Sequence, residues 1–162
     1  MSVLFSFDQN GFIKPYTKIT CDLLTLEKIF VDQFPSSITR KRLFINYLRY
    51  IENFQSKVSN RFVQWIDGSF ISQKENPKDI DFVTFLDYQV FEAQEPFLDK
   101  FWCFSLEDQG LDAYLVKVFS QNHEEYFTHT ERARVYWIDL YGSKKNVLGI
   151  EQPKGFLELK FE

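Results

Sequence analysis

Residues 65–83, WIDGSFISQKENPKDIDFV, join a glycine-serine turn after one apolar run to an Asp-Ile-Asp at the head of the next. Gly68 and Ser69 can turn backbone amides and a hydroxyl toward phosphate oxygens, because a residue without a Cβ lets the chain approach an anion closely. In a strand, side chains two apart share a face. Asp79 and Asp81 therefore point the same way and offer hard oxygen donors suited to divalent cations. A phosphate cradle beside a cation site is the pair of features that phosphoryl chemistry needs most.

Working outward, residues 61–66 offer β-branched and aromatic side chains in a short run and predict a strand that ends at Gly68 and leads through the turn into a helix start. Pro77 makes 76–78 a loop. Residues 79–86 predict the next strand, with Ile80, Phe82, Thr84 and Leu86 on one face and Asp79, Asp81, Val83 and Phe85 on the other. The second face begins polar and ends apolar, as a strand does when one end opens into a site. Residues 111–119 repeat the pattern, with Asp112, Tyr114, Val116 and Val118 on one face.

The N-terminal part reads as helical. Residues 23–34 carry apolar side chains at three- and four-residue intervals, with Thr25 as N-cap and Pro35 as stop. Thr39 opens a second helix whose apolar stripe is Leu43, Phe44, Tyr47, Leu48, Ile51 and Phe54, with Arg40, Lys41, Arg49 and Glu52 off it. Elsewhere the pattern predicts a short strand or extended arm at 3–7 and a short helix over 96–102. A further helix spans 131–141, closed by Gly142 at C′, and an edge strand covers 156–161. No repeat or linker divides the chain. We expect one domain over 1–162, with two helices in 23–57 and a sheet core in 58–162.

A chain of 162 residues has room for one core, and 44% hydrophobic with 26% charged residues excludes a disordered or membrane class. The 19 Phe are a core signal. A formal charge of -4 argues against nucleic-acid binding steered by a basic field. Cys21 and Cys103 have no ligand or redox spacing, which fits free thiols in a reducing cytosol. The first residues lack a signal-peptide pattern and no apolar run spans a bilayer, so the expected location is cytoplasmic.

Taken together, Gly68, Ser69, Asp79, Asp81 and Asp112 resemble the signature of the DNA polymerase β-like nucleotidyltransferase superfamily. More narrowly, Asp67-Gly-Ser-Phe with Asn76-Pro-Lys-Asp-Ile-Asp is similar to a group of short prokaryotic proteins in it. The resemblance implies an α/β (α+β) architecture, the minimal nucleotidyltransferase fold, in which a mixed β-sheet is flanked by helices and three carboxylates meet at one edge. It implies Mg²⁺ or Mn²⁺ on Asp79 and Asp81, with Asp112 completing a second ion's shell and acting as general base. Gly68 and Ser69 would bind the phosphates of an NTP such as ATP. Crowded carboxylates repel one another, and divalent cations are the usual relief.

The acceptor hydroxyl is left open among a protein, an RNA or tRNA end and a small molecule. Analogy with small superfamily members adds a role in a toxin-antitoxin or defence module. The alternative is a non-catalytic nucleotide-binding or protein-interaction module on the same fold. Other residues take plainer assignments. Asp67 is read as a turn residue rather than an extra acid, Lys74, Lys78, Lys144, Lys145 and Lys154 as solvated, His123 and His129 as surface, and Trp65 and Trp137 as core.

Overall fold

The structure is a computed structural model and describes residues 5–102 and 106–162. In chain order the elements are β1 (Ser6–Phe7), β2 (Ile13–Lys14), β3 (Lys18–Thr20), α1 (Leu23–Phe30), α2 (Arg40–Lys57), β4 (Phe62–Asp67) and β5 (Ile80–Asp87). Next come α3 (Tyr88–Leu98), β6 (Leu111–Val118), α4 (Arg132–Gly142), β7 (Ser143–Lys145), β8 (Glu151–Pro153) and β9 (Phe156–Phe161). The result is an α/β fold built on one five-stranded mixed sheet of order β3-β9-β4-β5-β6. β3 runs parallel to β9 and β5 parallel to β6, whereas β4 is antiparallel to both its neighbours.

One face of the sheet packs against α2. Tyr47 and Tyr50 stand edge-on to Phe82, with ring centroids 5.2 and 4.9 Å away. Between them runs a satisfied polar chain: the Tyr47 hydroxyl donates to Gln64 Oε1 at 2.6 Å, and Gln64 Nε2 donates to Thr84 Oγ1 at 2.9 Å. Burial of a polar chain is tolerable only when each member has a partner. The phenylalanines fill the surrounding space, as where Phe54 meets Phe62 and Phe101 at 4.7 and 5.0 Å. The opposite face is partly covered by α4, through Trp137 on Tyr114 (5.1 Å) and Tyr141 on Phe156 (6.0 Å).

Several sequence expectations are corrected. Residues 156–161 form not an edge strand but an interior one, between β3 and β4, because Phe156 through Leu159 are all buried and Glu158 is neutralised in place. Arg40 lies not off the buried stripe but inside it, 1% exposed. Asp22, not Thr25, caps α1 by accepting from Thr25 N at 2.8 Å, and the helix ends at Phe30, short of Pro35. Thr39 precedes α2 without a side-chain cap bond; Ser37 Oγ accepts from Arg40 N instead, at 3.2 Å. The 96–102 helix begins earlier, at Tyr88 behind an Asp87 cap, and carries Pro96 within it. Gly142 is the last residue of α4 and lacks a left-handed φ, so it is not a C′ glycine. Val3 and Cys103 fall outside the described residues. Cys21 is buried, which pushes its thiol up to about 12, an unreactive state. Among the described residues no helix is long and apolar enough to cross a membrane.

Candidate active site

Strand register assembles the site. Asp67 at the end of β4 pairs with Asp81 in antiparallel β5, and Asp81 pairs with Asp112 in parallel β6. Cross-strand partners share a face, so three carboxylates stand side by side across three adjacent strands. Asp79, two residues before Asp81, adds a fourth negative group whose field acts on both Asp81 and Asp112. Two hollows flank Asp112. One, of about 330 Å³, lies between the carboxylate row and α4; the other, of about 440 Å³, is lined by Lys78, Asp79, Glu107 and Gly110.

Gly68 follows Asp67 directly, with φ of +81°, and a Cβ built on it would overlap the Asp81 carboxylate. The glycine is thus required twice over, by backbone conformation and by contact with an acid of the row. The chain after Gly68 makes only a three-residue 3₁₀ turn, Ser69–Ile71, not the helix start expected at Ser69. That turn is held from behind by the buried Arg40 guanidinium. It donates to the carbonyls of Phe30 (2.7 Å), Phe70 (2.6 Å), Ser72 (2.8 Å) and Lys74, and its charge lies 3.8 Å from the Phe34 ring centroid. A planar five-donor group is suited to gathering carbonyls from two segments, the end of α1 and residues 70–74, and so α2 holds the loop that carries Gly68 and Ser69.

Crowding shows in the electrostatics. Burial, and then repulsion from Asp79, Asp67 and Asp112, lifts the Asp81 carboxyl to about 7. Burial also raises Asp112, against which hydrogen bonding from Tyr114 (3.5 Å) and Asp81 acts. Asp67 is pushed up by burial and drawn back in part by its ion pair with Lys154. Both members of that pair are buried, 6% and 8% exposed. Among the described residues no three His, Cys, Asp or Glu side chains are gathered closely enough to hold an ion unaided.

Asp67 and Lys154 are the residues that the sequence reading passed over. Asp67 is no plain turn residue, and Lys154 is not solvated. In-phase spacing of Val63, Trp65 and Asp67 was a usable signal for the first, but only with the β4–β5 register known. Nothing in the Pro153-Lys154-Gly155 turn announces the second. Tyr141 was assigned to a helix without a role, yet it lines the same cleft. A larger hollow of about 680 Å³, over Val63, Trp65 and Phe85, lies further along the same sheet face. Its acids are Asp87, Glu158 and Glu162, interleaved with Lys18, Arg61, Arg134 and Lys160, so its charges are balanced, whereas three aspartates of the row share the one paired cation Lys154.

In comparisons with known proteins, the family described as "Family of unknown function (DUF6932)" matches residues 5–160. No curated protein and no solved structure matches the chain.

Proposed function

The chain belongs to that family of unknown function, and from its site we propose that it is a metal-dependent nucleotidyltransferase, moving a nucleoside monophosphate from an NTP to a hydroxyl group. One observation carries this reading: three carboxylates in a row with Asp79 beside them, crowded enough to lift Asp81 to about 7, next to a glycine turn whose missing Cβ makes room for the Asp81 carboxylate. Such a site asks for cations and for phosphate together.

The donor set suits Mg²⁺ or Mn²⁺. It consists of hard carboxylate oxygens, one of them, Asp67 Oδ1, buried without a partner. The lack of a preassembled cage is compatible with ions that keep waters and share substrate phosphates. Asp79 and Asp81 would hold the nucleotide-bearing ion, and Asp112 the acceptor-side one. Bound there, divalent ions neutralise the charge of the triphosphate and of the departing pyrophosphate. Gly68 and Ser69 offer the phosphates a close backbone approach, Arg40 keeps that turn in position, and the acceptor's proton passes to a carboxylate of the row.

The test is incubation with α-labelled NTPs, Mg²⁺ or Mn²⁺ and a total cell extract, reading label transfer and pyrophosphate release. Asp79→Asn and Asp81→Asn should lose both nucleotide-dependent thermal stabilisation and transfer. Asp112→Asn should keep the stabilisation and lose about 10²–10⁴ in turnover, as removal of acceptor-side charge and basicity does. Stabilisation without turnover would favour the non-catalytic module. Neither stabilisation nor transfer would overturn the reading.

A further inference from the structure

A helix lying on a sheet normally turns an apolar stripe inward and polar residues outward, and α4 does not follow that division. Trp137 and Tyr141 are buried on the sheet side, yet Val135, Tyr136, Ile138 and Leu140 are each between 47% and 59% exposed. Single exposed apolar side chains are ordinary, but four of them within six residues make a patch.

Two charges frame the patch. At 3.6 residues per turn, Val135, Tyr136 and Asp139 stand three, four and seven positions after Arg132, so all four lie along one line of the helix. Arg132 and Asp139 are exposed and enter no ion pair among the described residues. Asp139 stands in the last turn of α4, where the negative end of the helix dipole disfavours an acid and no basic residue offsets it. Local helix stability does not account for that placement.

The line is complementary to itself. When a second α4 is laid antiparallel about a two-fold axis midway between Val135 and Tyr136, Arg132 of each copy faces Asp139 of the other. Val135 of each then faces Tyr136 of the other, since both pairs are symmetric about that midpoint. A parallel pairing in register sets Arg132 on Arg132 and Asp139 on Asp139. We propose that this face of α4 is a docking surface for a second copy of the chain, seated antiparallel in this way. A two-fold pairing of one patch with itself is also the commonest closed assembly of soluble chains.

Apolar surface beyond α4 extends the contact, because in an antiparallel pair the segment before one helix meets the segment after the other. Phe127 precedes α4, and Val147 and Leu148 follow it in the β7–β8 turn, all strongly exposed. At roughly 100 Å² apiece for side chains of this size at least half exposed, the seven total about 700 Å², near the 800 Å² that each partner of a standard complex buries. Tyr136 and Leu140 also line the hollow of about 330 Å³ beside the carboxylate row, so the partner's helix walls its outer side. The pairing is independent of the nucleotidyl-transfer reading.

Sedimentation equilibrium of the intact chain, from about 1 to about 200 µM, reads the association directly. The parent should show a monomer–dimer equilibrium with a micromolar Kd, in keeping with an interface at the small end of the stable range. Arg132→Glu and Asp139→Arg each set two like-charge pairs across the axis and should weaken the dimer by roughly tenfold or more. Arg132→Glu combined with Asp139→Arg exchanges the signs and should return Kd to within about threefold of the parent. Val135→Glu puts a charge at the apolar centre and should leave only monomer. All three positions are exposed, so the melting temperature at low protein concentration should hold, which separates lost pairing from lost folding. A parent that stays monomeric throughout overturns the proposal, as does a dimer undiminished in Val135→Glu or in either single reversal. Single reversals that dissociate the dimer while the double variant fails to restore it overturn it too.

Discussion

At the scale of single residues, Asp81 stands at the middle of the site, between Asp67 and Asp112. Its folded-state value of about 7 lies above the ordinary aspartate range, so the folded protein holds this proton more tightly than the unfolded chain. Stability from Asp81 is therefore fully present below about pH 4 and is lost as pH rises through 7 in metal-free buffer, by up to about 4 kcal/mol. Asp81→Asn should flatten that decline, raise the neutral-pH melting temperature without metal, and gain little from added Mg²⁺; urea unfolding at several pH values reads it. A decline that persisted in the variant would shift the cause elsewhere. Gly68→Ala should act through the same carboxylate. The methyl displaces Asp81 and strains the turn, costing about 1–3 kcal/mol and abolishing nucleotide-dependent stabilisation. Arg40→Lys should cost about 3–5 kcal/mol and expose the 68–76 loop to protease, since an ammonium cannot serve four carbonyls at once. An unchanged denaturation midpoint would show that the guanidinium is dispensable.

At the scale of elements, β9 joins β3 to the rest of the sheet, and Glu158 is its polar fastening. It accepts from Lys18 Nζ at 2.7 Å, Trp65 Nε1 at 3.0 Å and Thr20 Oγ1 at 3.3 Å. Burial works to raise this carboxyl, but the Lys18 and Trp65 hydrogen bonds outweigh it and the net direction is down. Its contribution is accordingly present above the ordinary glutamate value and lost as acid titrates the folded group. Glu158→Gln should cost about 2–4 kcal/mol at neutral pH and remove this part of the acid limb, with the difference from the parent shrinking toward pH 3. A pH-independent difference would count against the ion pair. Elements with strong periodicity were legible from sequence: α2, β4, β5, β6 and α4 all lie within a residue or two of their expected bounds. The short strands β2, β3, β7 and β8 were not, because two or three residues carry no periodicity and exist only by pairing.

At the scale of the whole molecule, negative charge is concentrated where the carboxylate row lies, and the net charge of -4 understates it. A ligand that relieves the row should stabilise the entire fold. Mg-ATP at a hundred times its Kd should contribute about 2.7 kcal/mol, seen as a rise of several degrees in a single thermal transition, with Mg²⁺ alone giving less. No shift for any NTP would leave the row without its proposed occupant. By itself, the sequence determined the α/β class, the two leading helices and the succession of β4, β5 and β6, since these follow from periods of 3.6 and 2 within single segments; Asp79, expected to share a strand face with Asp81, precedes β5 and lines a different hollow. Only the tertiary structure decided that 156–161 is an interior strand, that Arg40 is buried, and that Asp67, Lys154 and Tyr141 join the site. Those facts depend on which strand pairs with which, and in what register, over separations of up to 140 residues. Local propensity holds no record of such pairing; it is set by the free energy of burying the whole core at once.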